Sequence, residues 1–289
     1  MDVERAEALH PLHGLEASEP VDDELQAFIR KNAAEFVARQ EGTRSGADPE
    51  DLHKFRVATR RIRSLLRSTR GQLVDRVEGE RLRAELKWLA SLLGEVRDRD
   101  VLIDYLVGEL DSLDGAPLGA LLQVVDEERD QARRDLVVAL DLPRFAELRA
   151  SLGHLPRLRE GETLGGAAKR EYERMRKAVD ALGEDAVDED LHKARIRVKR
   201  ARYAAEAAGV GGSFVDRAKK LQETLGEHQD AVVAEAAVRD LLGRVRGTGR
   251  TAFAAGRLVE RQQTRKEHAR RAWPAAWKRL RRAGDKAFS

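Results

Sequence analysis

The 289-residue chain has no cysteine. Disulfides and thiolate metal sites are therefore excluded, which fits a reducing compartment. Prolines number only seven, and Pro20, Pro49, Pro117 and Pro143 fall at joints between periodic segments. Aromatic residues are 4% of the chain, thin for a protein that stacks on bases. No apolar run approaches the roughly 20 residues of a membrane span, and the acidic N-terminus lacks an apolar signal core. The expectation is a cytoplasmic protein with no membrane association. There is no Walker-type glycine loop, no His-Glu-x-x-His pair and no clustered acidic metal site. No catalytic residue, metal site or cofactor is expected.

What is present is charge. Asp, Glu, Lys and Arg make up 36% of the residues, yet the formal net charge is only +3. Residues 1–25 hold eight acids (Asp2, Glu4, Glu7, Glu16, Glu19, Asp22, Asp23, Glu24) against Arg5 alone. The remainder is correspondingly basic and its cations are clustered, which favours anion capture more than the total does.

Ala, Leu, Glu and Arg dominate, all good helix formers, and no strand pattern of period two is found. Residues 1–20 read as a mobile acidic leader. Helices are predicted at 21–41, 49–70, 75–93, 97–113 and 117–141, then, after a joint at 151–166, at 163–182, 188–208, 213–225, 228–244 and 249–282. Asp48-Pro49-Glu50-Asp51 is a strong start signal: an N-cap, a proline at the first position and acids in the first turn. Asp188-Glu189-Asp190 is read as doing the same, with Gly209 and Gly211-Gly212 as the stop.

The sequence repeats internally. Residues 51–67, DLHKFRVATRRIRSLLR, match residues 190–206, DLHKARIRVKRARYAAE, shifted by 139. LLGEVRDRDV at 92–101 matches TLGEHQDAVV at 224–233, shifted by 132. Two blocks in the same order argue for a duplicated helical unit.

On a helical wheel, Leu52, Phe55, Thr59, Ile62 and Leu66 form a core-facing stripe. Beside it run His53, Arg56, Arg60, Arg63 and Arg67, a basic stripe about 21 Å long, with Lys54 and Arg61 further round. The second block repeats the layout. Leu191, Ala194, Val198, Ala201 and Ala205 face the core, and His192, Arg195, Lys199 and Arg202 form the stripe. Lys193 and Arg200 match Lys54 and Arg61, while Glu206 replaces the final arginine. Aligned cations repel unless an anion or carboxylates neutralise them. Arginine's planar fork suits phosphate.

The seven histidines are His10, His13, His53, His154, His192, His228 and His268. His53 and His192 have three readings: phosphate ligands that bind more strongly when protonated, hydrogen-bonded structural residues, or a metal pair across a pseudo-twofold interface. In the downstream blocks Glu95, Arg97 and Asp98 are matched by Glu227, Gln229 and Asp230, and Lys87 by Lys219. These carboxylates are expected to fix arginines. The C-terminal helix carries Arg257, Arg261 and Arg265 on one face, with Lys266, Arg270, Arg271, Lys278, Arg279, Arg281 and Arg282 beyond. It could extend the anion site or bind nucleic acid separately.

With its two Asp-Leu-His-Lys blocks and the downstream Leu-Leu-Gly-Glu-Val-Arg-Asp and Leu-Gly-Glu-His-Gln-Asp, the chain resembles the CHAD family, the conserved histidine α-helical domain, over roughly residues 20–283. The resemblance implies an all-α fold of two pseudo-symmetric four-helix-bundle-like halves, a first repeat about 21–141 and a second about 163–283. It also implies a basic central groove that binds inorganic polyphosphate without catalysis, and sometimes recruitment to polyphosphate granules. Carried onto this chain, the binding residues are His53, Lys54, Arg56, Arg60, Arg61, Arg63, Arg67, Lys87 and Arg97, with His192, Lys193, Arg195, Lys199, Arg200, Arg202 and Lys219. The Glu-x-Glu-x-Lys signal of a CYTH-type triphosphatase is absent, so a stand-alone CHAD protein is expected. Gln229 in place of Arg97, and Glu206 in place of Arg67, depart from an equal pair. The alternatives are a nucleic-acid-binding protein or a helical scaffold that docks acidic proteins.

Overall fold

The computed structural model describes residues 24–109, 118–154, 156–183, 185–245 and 247–289. The acidic leader at 1–20 lies outside the described residues. The fold is all-α. Its helices are α1 (Glu24–Ala38), α2 (Gln40–Ser45), α3 (Pro49–Ser68), α4 (Arg76–Glu109) and α5 (Gly119–Asp141), followed by α6 (Pro143–Ser151), α7 (Leu164–Asp180), α8 (Asp188–Ala207), α9 (Ser213–Arg244) and α10 (Gly249–Ala287). Among the described residues no strand occurs, and a single antiparallel bridge joins Leu73 to Leu158.

The chain divides into two compact units. One takes the described residues up to Ala90 together with Val137–Glu162, and the other takes Ser91–Leu136 and Thr163–Ser289. In the first unit, Leu25, Ile29 and Phe36 of α1 pack with Phe55 and Ile62 of α3, all fully buried. Phe36 meets Phe55 edge-on at 4.6 Å between centroids and stacks with Phe145 at 6.0 Å, a geometry worth about 1 kcal/mol beyond burial. Arg144 donates to Glu85 at 2.6 Å and lies over the Trp88 ring.

In the second unit, one core joins Tyr172, Met175 and Val179 of α7 to α8, α9 and Trp273, Trp277 and Leu280 of α10. Another collects Leu106, Leu121, Val125, Val238, Leu241 and Leu258. The α7–α10 contact is close. A Cβ on Gly284 would stand 2.1 Å from Tyr172 Cε2, so only glycine lets the two helices meet there.

Four expectations are corrected. The segment 75–93 and the described part of 97–113 form one helix, α4, which runs to Glu109, and 213–225 with 228–244 form one helix, α9. Gly94 and Gly226 fall in the gaps between the predicted segments, and both are buried inside these helices. A helical glycine costs about 1 kcal/mol against alanine. Burial of Leu86, Leu89, Leu93 and Val96, and of Leu221, Leu225 and Ala231, outweighs it. The stretch after Asp141 holds a further helix, α6, begun by Pro143 at its first position. The predicted first helix ends at Ala38 and gives way to the short α2.

Candidate functional site

Helix α3 starts where its residues require. The Asp48 side chain accepts from Glu50 N at 2.8 Å, and Pro49 opens the first turn. All five members of its predicted core stripe are buried, with Ala58 and Leu65 added. His53, Arg56, Arg60 and Arg63 are half-buried beside that stripe and Arg67 is exposed. Burial pushes the Arg63 guanidinium below the usual arginine range, and the charges of Arg60, Arg83, Arg67 and Arg56 push it further. Arg63 thus sits among four like charges. The Nε atoms of Arg60 and Arg61 are buried without a hydrogen-bond partner. Lys54 is held 3.9 Å from Glu50, and Lys87 is exposed on α4. Arg83 was missed from sequence, although it stands one turn before Lys87. It also pairs with Glu80 at 2.7 Å.

Helix α8 buries Leu191, Ala194, Val198, Ala201 and Ala205 as predicted, plus Tyr203 and Ala204. His192, Arg195, Lys199, Arg200 and Arg202 are half-buried and Lys193 is exposed. Two cations of this helix have carboxylate partners close by in the chain. Arg202 donates to Gln222 at 3.0 Å and to Glu206 at 2.8 Å, and lies over Tyr203. Lys193 pairs with Glu189 at 3.0 Å and with Asp190 at 3.3 Å. Arg195 rests against the Cα side of Gly226, its Nε buried without a hydrogen-bond partner. His192 Nδ1 donates to Gln229 Oε1 at 2.6 Å. An amide oxygen only accepts, so Nδ1 carries the proton and Nε2 is the ring's remaining polar atom. Lys219 is exposed on α9.

The downstream blocks supply carboxylates to the second unit. Protein packed around Asp230 pushes its carboxyl above the usual range, although part of the residue is exposed. Asp98 and Glu227 add to the rise, and Arg195 and Arg265 oppose it. Asp100 is likewise raised by burial, against Arg97, Arg129 and Arg133. Glu95 lies 3.7 Å from Arg99 on its own helix rather than against a stripe arginine. Among the described residues, no three His, Asp or Glu side chains are placed to hold a metal.

Asp188 does not cap α8, since Val187 occupies the N-cap position and makes no side-chain bond. Its carboxylate instead accepts from Arg270, which also donates to the Ala186 carbonyl at 2.5 Å, and stands 3.2 Å from His228 Nε2. Burial works to raise the Asp188 pKa, but Arg270, His228 and Lys266 outweigh it and hold the carboxyl below its usual range. His228 is buried. Desolvation holds its pKa below the ordinary histidine value, helped by Arg270 and Lys266 and opposed by Asp188. Arg265 donates to Gln262 and Arg261 pairs with Glu109, so that row of α10 is partly spent on its own unit. No described helix is long and apolar enough to cross a membrane.

The chain spans about half the length of the curated relatives it matches. Uncharacterised proteins from two strains of Mycobacterium tuberculosis are each 31% identical over 288 residues, covering 93% of this chain and 55% of theirs. Among solved structures, PptA from Streptomyces chartreusis superposes with a TM-score of 0.76 at 27% identity, covering 88% of this chain and 98% of its own. The CHAD domain from the plant Ricinus communis gives a TM-score of 0.65 at 24% identity over 86% and 91% of the two chains, a likeness of fold. A model of the CHAD domain family matches residues 27–239, most of the helical body just described. On that match, and on the repeated Asp-Leu-His-Lys helices, the chain belongs to the CHAD family.

Proposed function

We propose that this protein is a non-catalytic binder of inorganic polyphosphate and that the bound polymer carries it to polyphosphate granules. The observation behind this reading is Arg63 among Arg56, Arg60, Arg67 and Arg83. Half-buried like charges at helical spacing destabilise one another, and a row of phosphate oxygens neutralises them with charge-assisted, forked hydrogen bonds. The α3 stripe, about 21 Å long, suits a linear chain better than a compact anion. In the second unit Arg195, Lys199 and Arg200 are the main cations, with His192 turned by Gln229 so that Nε2 meets the ligand. Lys54, Lys87, Lys193, Lys219 and Arg97 contribute outer charge.

The test is titration calorimetry with long-chain polyphosphate at about 0.15 M salt. Wild type is compared with a variant in which His53, Arg60, His192 and Lys199 are alanine. A loss of about a hundredfold or more supports the reading, since each charge-assisted bond contributes about 1.5 kcal/mol. Wild-type affinity in the variant rejects it. Changing each helix alone tests the single-groove arrangement. With a shared ligand each change weakens the one binding event and the two losses add in free energy, whereas separate sites leave the unchanged helix binding as in wild type.

A further inference from the structure

Helix α10 carries a second basic surface that the polyphosphate reading does not use. Arg271, Lys278, Arg279, Arg282 and Lys286 are all exposed. At about 100° per residue they fall within an arc about 100° wide, along about 22 Å of helix. Trp273, Ala276, Trp277, Leu280 and Gly284 are buried on the opposite side of the same stretch. The cations therefore stand on the ridge facing away from the core.

Two carboxylates packed against this stretch of α10 are spent elsewhere. Asp180 accepts from Trp277 Nε1 at 3.0 Å and from Arg281 at 3.1 Å. Asp285 accepts from the Tyr172 hydroxyl at 2.6 Å and lies 3.6 Å from Arg176. Among the described residues, none of the five ridge cations forms an ion pair. Five like charges this close repel each other, and an external polyanion relieves that repulsion.

The ridge also shows what it does not suit. Between the cations stand Pro274 and Ala275, with no aromatic to stack on a base and no large apolar side chain to enter a membrane. A thin polymer on a convex ridge is reached from one side only. A duplex is broad, and its backbone offers about one charge per 1.7 Å of axis. It can meet the ridge along its whole length. Lysine and arginine contacts to phosphate position a protein without reading sequence.

We propose that the outward ridge of α10 formed by Arg271, Lys278, Arg279, Arg282 and Lys286 docks the phosphate backbone of duplex nucleic acid, independently of sequence. None of these five residues belongs to the α3 or α8 stripe, so the ridge and the stripes can be changed separately.

The experiment is fluorescence anisotropy of the full chain with two short duplexes of unrelated sequence across a salt series. Five phosphate contacts give a slope of log affinity against log salt of about −4.5, about a five-hundredfold loss between 0.05 and 0.2 M. A variant with all five cations changed to glutamine should lose most of that slope and bind both duplexes weakly. Its thermal melting and its polyphosphate affinity should match wild type, because every changed side chain is exposed. Three results overturn the proposal: wild-type duplex affinity in the variant, an equal loss of polyphosphate affinity, or tighter capture of phosphatidylserine vesicles than of duplex through the same five residues. The α3 and α8 variants described above should still bind duplex, so the two proposals fail separately.

Discussion

Arg63 and Arg202 occupy equivalent positions in the two repeated helices and live in opposite surroundings. Arg63 is surrounded by four arginines that all lower its pKa. Arg202 is held by Glu206 and Gln222 and covers Tyr203, with 12% of its side chain exposed. One substitution accounts for much of this: Glu206 stands one turn beyond Arg202 where Arg67 stands one turn beyond Arg63. One helix gathers like charges around this position, and a polyanion would find them together. The other has converted the same position into internal structure.

The sharpest test changes Arg60 and Arg63 to glutamine. Polyphosphate affinity should fall about a hundredfold, two charge-assisted bonds, while the melting temperature without ligand should rise. A lower melting temperature with unchanged affinity would break the comparison.

Asp230→Asn removes a negative charge beside Arg195. Polyphosphate affinity at low salt should rise about fivefold, or about 1 kcal/mol, as read by calorimetry. The Asp230 pKa is raised on folding. Its ionised form therefore costs stability at neutral pH, and the cost shrinks as pH falls through the raised value. Chemical denaturation should accordingly show the variant more stable than wild type at pH 7, by a margin that closes towards pH 4. A fixed margin would mean the charge is not responsible.

Arg202→Ala should cost less than about threefold in affinity yet destabilise the fold by about 1–2 kcal/mol through lost hydrogen bonds and ring contact. A large affinity loss at full stability would restore equality between the two helices.

The smallest expected effect belongs to His228. Its folded pKa lies below the unfolded one, so the unfolded chain binds the extra proton first. Stability should decline as pH falls through about 6.5, the unfolded value. His228→Gln should flatten the denaturation profile between about pH 7 and 5.5. An unchanged slope would assign the pH response to another group.

Both repeated helices were legible because each carries its own evidence: a cap or acidic first turn, a core stripe at helical period and a parallel row of cations. All ten predicted core residues of α3 and α8 are buried. What was illegible depends on partners distant in sequence. Gly94 and Gly226 look like stops until the packing around them is known. Asp188 looks like a cap until Arg270 and His228 arrive beside it, 82 and 40 positions later. Arg83 has no repeat counterpart to flag it, and only the fold brings its charge to Arg63. The neutralising role of Glu206 was legible as a shorter stripe, but the hold of Gln222 on Arg202 was not.

The Tyr172–Gly284 contact has a consequence for synthesis. Tyr172 and Asp180 on α7 are tied to Asp285, Trp277 and Arg281, which lie 97 to 113 positions later in the chain. At about 5–20 residues per second, α7 emerges from the ribosome roughly 5–20 s before those partners. Through that interval the Tyr172 ring lacks its cover, and nascent chains that stall there expose an aromatic surface to chaperones. When α10 arrives, the bare Cα of Gly284 lets it close directly onto the waiting ring. A side chain at that position would strike the ring, and α10 could close onto α7 only after one of the two had shifted.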